Sequence, residues 1–145
     1  MAAFLIVVVL GGVFFLSKHQ SSQAPSGISQ NSEIPKLSPE DIGMVVTVRN
    51  DNKALMFELT KIGNIKHVEY TIEYDKEIDG EKVPEGIFGL MNIAEDGITK
   101  TDFREFGTCS SGKCRYDKVV SDIKIILKVT KKDGKDYQVE KIVKL

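Results

Sequence analysis

Tryptophan is absent from this chain of 145 residues, and histidine and cysteine occur only twice each. Histidine and cysteine most often carry proton transfer, metal ligation and nucleophilic attack. No Ser/His/Asp constellation can be assembled from so few. His19 falls in a polar stretch, and His67 lies on the polar face of a predicted strand with nothing to tie it to a nucleophile. No catalytic residue, metal or other cofactor is expected, and the chain reads as a non-enzyme. An excess of basic charge is missing as well. A formal net charge of −1 argues against a nucleic-acid partner, because a phosphate-binding surface needs a clear surplus of Lys and Arg. Beyond the N-terminus no long stretch places apolar residues at i, i+3, i+4 and i+7, so a helical domain is not expected.

Three motifs stop short of a function. Gly107-Thr-Cys-Ser-Ser-Gly-Lys-Cys114 departs from the phosphate-binding pattern G-x-x-x-x-G-K-[ST] at its last position, where Cys114 replaces the hydroxyl that binds Mg²⁺. The residues from Tyr116 onward return to strand, whereas that loop must open a helix, so no nucleotide is expected. Asp75, Glu77 and Asp79 with Gly80 match the opening positions of a calcium loop, but Gly86 stands where a bidentate Glu is required. A solvated acidic turn is the simpler reading. Cys109 and Cys114 are not spaced as C-x-x-C, and no α/β pattern surrounds them, which argues against redox catalysis.

What is present begins with an uncharged run from Ala2 to Leu16, AAFLIVVVLGGVFFL. As a helix rising about 1.5 Å per residue it spans about 22 Å. With Met1 and Ser17 it reaches the lower limit of about 17 residues for crossing a bilayer. A cleaved signal peptide is one reading. However, Ser17-Lys18-His19-Gln20 offers no convincing cleavage site, and the terminal amine is the only positive group ahead of the run. The favoured reading is an uncleaved signal-anchor helix over residues 1–19 that enters the lipid bilayer through residues 2–16. Residues 20–42 follow, rich in Ser, Gln and Pro and without hydrophobic periodicity, and read as a flexible linker.

From residue 43 the signal changes to period-two alternation, the mark of half-buried strands. Met44, Val46 and Val48 alternate before a turn at Asn50-Asp51-Asn52, and Leu55, Phe57 and Leu59 follow. Val68, Tyr70, Ile72 and Tyr74 form the cleanest strand, and Ile123, Ile125, Leu127 and Val129 another. The last strand starts with Tyr137 and Val139 inward and shifts phase at Ile142, which predicts a bulge. Asp133-Gly134 predicts a tight two-residue hairpin turn before it. Phe57, Tyr70, Tyr74 and Phe103 read as core. About seven strands over residues 43–145 predict an all-β, two-sheet sandwich. Charge is uneven along it: residues 69–105 hold eleven acids and four bases, residues 113–144 ten bases and five acids. Neutralisation between neighbouring strands is the simple reading, and two oppositely charged faces the alternative.

The stretches Ala54-Leu-Met-Phe-Glu-Leu-Thr60 and Ile65-Lys-His-Val-Glu-Tyr-Thr-Ile-Glu-Tyr74 resemble the second and third strands of fibronectin type III domains, an immunoglobulin-like family. Leu59 stands where that family has tryptophan. The segment Phe106–Tyr116 is similar to a motif of small, uncharacterised, membrane-anchored bacterial proteins with such a sandwich. These resemblances imply a fold and a location and no activity, since the fold hosts many functions.

Gly112 permits a tight loop between Cys109 and Cys114, and an even, closely spaced pair beyond a hydrophobic leader fits a structural disulfide in an oxidising exterior. The pair therefore places the C-terminal domain on the extracytoplasmic side, although Lys18 alone weakly favours the opposite orientation. The expected function is a single-pass, surface-displayed module that binds an unknown protein or glycan or spaces envelope components. Its candidate binding residues are Asp75, Glu77, Asp79 and Glu81 in an acidic loop over 75–86, with Ser110, Ser111 and Lys113 at the cystine tip. The alternative is a pilin-like subunit of a surface filament, assembled through the N-terminal helix. The leader lacks the glutamate and the cleavage signature that such subunits carry.

Overall fold

The computed structural model describes residues 34–145. The anchor expected over 1–19, its span at 2–16 and the linker as far as residue 33 lie outside the described residues. Among the described residues no helix is long and apolar enough to cross a membrane.

The fold is mostly β. Among the described residues ten strands follow in chain order: β1 (Lys36–Leu37), β2 (Met44–Val48), β3 (Ala54–Leu59), β4 (Ile65–Ile78), β5 (Glu81–Met91), β6 (Arg104–Glu105), β7 (Gly107–Ser110), β8 (Lys113–Tyr116), β9 (Ile123–Lys131) and β10 (Asp136–Val143). A one-turn helix, α1 (Ile93–Asp96), separates β5 from β6. The strands form a five-stranded sheet in the order β1-β10-β9-β4-β5, a three-stranded sheet β2-β3-β6 and the two-stranded hairpin β7-β8. The strands named from the sequence correspond to β2, β3, β4, β9 and β10; β5 begins inside the stretch expected as an acidic loop, and β1, β6, β7 and β8 complete the ten. β1, β6, β7 and β8 are pieces of two to four residues, too short to show alternation.

The alternation read from the sequence is the alternation observed. Leu55, Phe57 and Leu59 of β3, Val68, Tyr70, Ile72 and Tyr74 of β4, and Ile123, Ile125, Leu127 and Val129 of β9 are all buried in one hydrophobic core, joined by Met91, Phe106 and Val139. Met44, Val46 and Val48 pack against it. Burying such side chains stabilises a fold by about 1.5–3 kcal/mol each before chain entropy is counted, so this shared core fixes which strand faces point inward.

Four expectations change. Residues 36–42 belong to the folded unit and not to the linker: β1 runs parallel to β10, and a 3₁₀ turn over Pro39–Ile42 buries Ile42. Ser38 caps that turn reciprocally with Asp41, and Pro39 fits its first position, so the Ser-Pro-Glu-Asp run encodes structure despite its linker-like composition. No bulge occurs at Ile142. The β10–β9 register runs unbroken from Asp136 to Val143, and Ile142 simply faces outward opposite Lys124; the register shift lies instead between Ile65 and His67 of β4. Asp133-Gly134 does not form a two-residue turn. Gly134 alone has positive φ, and the N–H of Lys131 donates to the Lys135 carbonyl, which closes a three-residue loop. Phe103 is 39% exposed, because the short β6 that follows it delivers Phe106 into the core in its place.

Candidate functional site

The acidic segment expected as a loop over 75–86 is a hairpin arm. β4 is fourteen residues long, and its far end, Asp75 to Ile78, pairs with Pro84 to Glu81 around a two-residue turn. Asp79 (φ 52°) and Gly80 (φ 84°) both occupy the left-handed region, the requirement of the turn type that matches strand twist. The cystine segment forms a second hairpin of the same kind, with Ser111 (φ 49°) and Gly112 (φ 77°) at its turn. In a two-residue hairpin the pair next to the loop-flanking residues is the closely spaced, non-hydrogen-bonded one. Here that pair is Cys109 and Cys114, whose Cα atoms lie 4.0 Å apart with the sulfurs at bonding distance, 2.04 Å.

The two hairpins lie side by side, and backbone pairing puts them there. After β8 the chain runs along the far end of β4: the N–H of Glu77 donates to the Lys118 carbonyl at 2.9 Å, and that of Val120 to the Asp75 carbonyl at 2.8 Å. Side chains reinforce the junction. The Tyr74 hydroxyl donates to Asp117 at 2.9 Å, and Lys118 Nζ donates to Glu77 at 2.8 Å. Lys76 bonds Glu85 and lies 3.7 Å from Asp117. That bond to Lys76 holds the Glu85 carboxyl below its ordinary value, and the same bond raises the Lys76 ammonium. Burial, followed by the bond to Asp117, pushes the Tyr74 phenol up. On the other flank Arg49 donates to Asp51, Glu105 and the Tyr116 hydroxyl, while Arg49 and Lys53 both lie over the Tyr116 ring. The base of the cystine hairpin is thus held from both sides.

Between the arms lies a cleft of about 530 Å³, lined by Lys76, Glu77, Ile78 and Asp79 on one side and Thr108, Arg115, Tyr116, Asp117 and Lys118 on the other. Of the residues expected to bind, Glu77 and Asp79 line this cleft. Glu81 sits exposed at the end of the arm opposite Ile78. Asp75 lines a separate hollow on the outer face of the five-stranded sheet, with Thr71, Pro84 and Ser121. Ser110 and Lys113 flank the second turn beside a shallow recess with Thr108 and Arg115, and Ser111 occupies the turn itself. Arg115, Tyr116 and Lys118 were not anticipated. Their signal was the basic and aromatic run directly after Cys114, which becomes informative only once Arg115 is paired with Thr108 across the hairpin.

The arrangement suits polar recognition. Asp75 and Glu77 lie on the same side of an extended strand, about 7 Å apart, and Lys118 occupies Glu77. Among the described residues no group of three His, Cys, Asp or Glu side chains converges as metal ligands. Both walls of the cleft carry both signs of charge, with Lys118 bonded to Glu77 and Lys76 3.7 Å from Asp117 across it, so the cleft can meet a polar chain that presents both charges. No known protein family, no curated protein and no solved structure matches the chain.

Proposed function

We propose that this chain is a non-catalytic binding module of immunoglobulin-like type, tethered to a membrane by its N-terminal apolar run and displayed on the extracytoplasmic side. Its contacts are made at the end of the domain where the two hairpins meet. The observation that carries this reading is the strand order. The orders β2-β3-β6 in one sheet and β1-β10-β9-β4-β5 in the other support a reading as a fibronectin type III-like sandwich, and the shared core supports placing the two sheets face to face. Such folds bind through segments that project from a rigid scaffold. The arm at 75–86 and the cystine hairpin are two such segments, and the chain directly after the cystine hairpin is bonded to the backbone of the arm. A cystine in an exposed hairpin supports an oxidising compartment.

The test uses intact cells producing the full chain. Added protease is expected to remove the domain without permeabilisation, and the retained protein to show one disulfide by non-reducing mass spectrometry. Protection from protease, or two free thiols, would overturn the location. Capture of a cell-surface protein or glycan that is lost in both Glu77→Lys and Arg115→Glu variants would support the hairpin end as the contact site. Capture unaffected by either change would remove that assignment. Extraction by mild detergent as long polymers would instead favour the pilin-like filament.

A further inference from the structure

Among the described residues β5 is a sheet edge, and it pairs with β4 alone. Residues along an antiparallel strand point their peptide groups alternately at the partner and away from it. The two-residue turn makes Ile78 and Glu81 a bonded pair, so Val83, Glu85, Ile87, Gly89 and Met91 bond to β4. Lys82, Pro84, Gly86, Phe88 and Leu90 present theirs outward.

The two halves of this edge differ. The first is guarded: Pro84 has no N–H to offer, and the Gly86 N–H donates to the neighbouring Glu85 carboxylate at 3.2 Å. The second is not. Among the described residues no further backbone partner covers Phe88 or Leu90, and their side chains are 74% and 55% exposed. Both stand on the outer face of the five-stranded sheet, where hollows of about 650 and 710 Å³ flank Phe88. The Phe88 ring leans over Gly86, whose missing side chain leaves the room.

We propose that Gly86–Leu90 pairs antiparallel with the same segment of a second copy, about a two-fold axis at Phe88, joining two five-stranded sheets edge to edge. The segment Gly-Ile-Phe-Gly-Leu is self-complementary in size. About that axis Gly86 faces the partner's Leu90, Ile87 faces the partner's Gly89, and Phe88 faces the partner's Phe88. Every large aliphatic residue is thus set opposite a glycine, and each Leu90 comes against the partner's Phe88 ring where it covers glycine. The outward peptide groups of Phe88 and Leu90 in both copies, with the two Gly86 carbonyls, supply about four ladder bonds, the Gly86 N–H being held by Glu85. Five residues make a contact only about 17 Å long. The buried area therefore falls below the ~1,200 Å² typical of stable interfaces, and the dimer forms and dissociates with concentration.

Amide hydrogen exchange on the full chain in detergent, followed between roughly 10 µM and 1 mM, tests this. The Phe88 and Leu90 amides are expected to exchange at least about tenfold more slowly at the high end. The Ile87 and Gly89 amides, bonded to β4, stay equally protected throughout. Phe88→Pro removes an outward donor without touching the β4 ladder, as Pro84 already does. It is expected to abolish the concentration dependence, and continued protection of Gly89 reports that the strand still folds. Leu90→Lys provides a second variant with the same expected loss. Exchange at Phe88 and Leu90 that is independent of concentration would overturn the proposal. So would concentration-dependent protection that survives both variants, which would assign association to another surface. Neither result depends on where the chain resides or what the hairpin end binds.

Discussion

Gly89 stands opposite Tyr70 in the β4–β5 ladder, and the phenol ring lies across the space a side chain would fill, so that a Cβ there would overlap Cζ and the hydroxyl. The ring cannot swing away. Phe57 meets it edge-on at 5.2 Å and the Arg104 guanidinium lies 5.4 Å from its centre. Gly89→Ala is therefore expected to destabilise the fold by about 1–3 kcal/mol, the usual range for overpacking. In a Tyr70→Leu background, where the ring is gone, the same change is expected to have little further effect; thermal unfolding of the four variants gives the coupling. Tyr70→Phe has the opposite sign. The hydroxyl is buried and makes no hydrogen bond of good geometry among the described residues, the nearby Arg104 guanidinium acting on it only loosely, so its removal relieves a desolvated polar group. An unchanged or higher Tm is expected. A clear drop would show that the hydroxyl is bonded in solution.

At the scale of elements, the cystine hairpin and the β4–β5 arm are built by the same turn, yet they hang on the molecule differently. Every residue from Thr108 to Tyr116 is exposed, so β7 and β8 bury almost nothing, whereas the arm continues a strand whose other half is core. Closing a loop this short stabilises by about 2 kcal/mol in the chain-entropy account, but that sum applies only to states in which the hairpin opens. Replacing both Cys109 and Cys114 with Ser is thus expected to leave the global Tm nearly unchanged. It should speed amide exchange across 107–116 alone, measured residue by residue. Loss of cooperative unfolding would count against this separation.

The two hairpins also mark what could be read in advance. Alternation identified the inward faces of β2, β3, β4 and β9, because period-two patterns report burial directly. Turn geometry was less legible: Asp79-Gly80 and Asp133-Gly134 are the same dipeptide, and only the first makes the two-residue turn. The register of the flanking strands decides between them. The density of acids around residue 79 reads as a solvated loop because composition cannot distinguish a loop from an exposed strand. The cleft was not legible at all. It depends on the chain after β8 pairing with the end of β4, a tertiary contact that no local pattern encodes.

Across the whole molecule, the acidic and basic segments face one another. The β4–β9 register sets Glu69 beside Lys128 and Glu73 beside Lys124. Ion pairs link Lys128 to Glu69 and Asp136, and Lys124 and Lys36 to Glu140. The folded state therefore holds several carboxyls below their ordinary range: Asp136 through the Thr130 hydroxyl and then Lys128, Glu140 through Lys36, Glu85 through Lys76, and Asp51 through Arg49. A group whose pKa is lower when folded contributes its full stabilisation above the unfolded carboxyl range near pH 4, and loses it as pH falls through the lowered value. Lys76 and Lys128 are raised by Glu85 and Glu69, and Tyr70 and Tyr74 chiefly by burial. Their contribution is complete below about pH 10 and fades above it. Tm is accordingly expected to be flat between about pH 5 and pH 9 and to fall on both sides. Because these ion pairs lie at the surface, screening weakens them. The acid limb should be shallower at about 0.5 M than at about 0.05 M salt, whereas the part of the alkaline limb that comes from buried phenols should persist. Circular dichroism melts across pH at both salt concentrations measure this, and a Tm that rises as pH falls from 5 to 3 would reverse the sign assigned to the carboxyls.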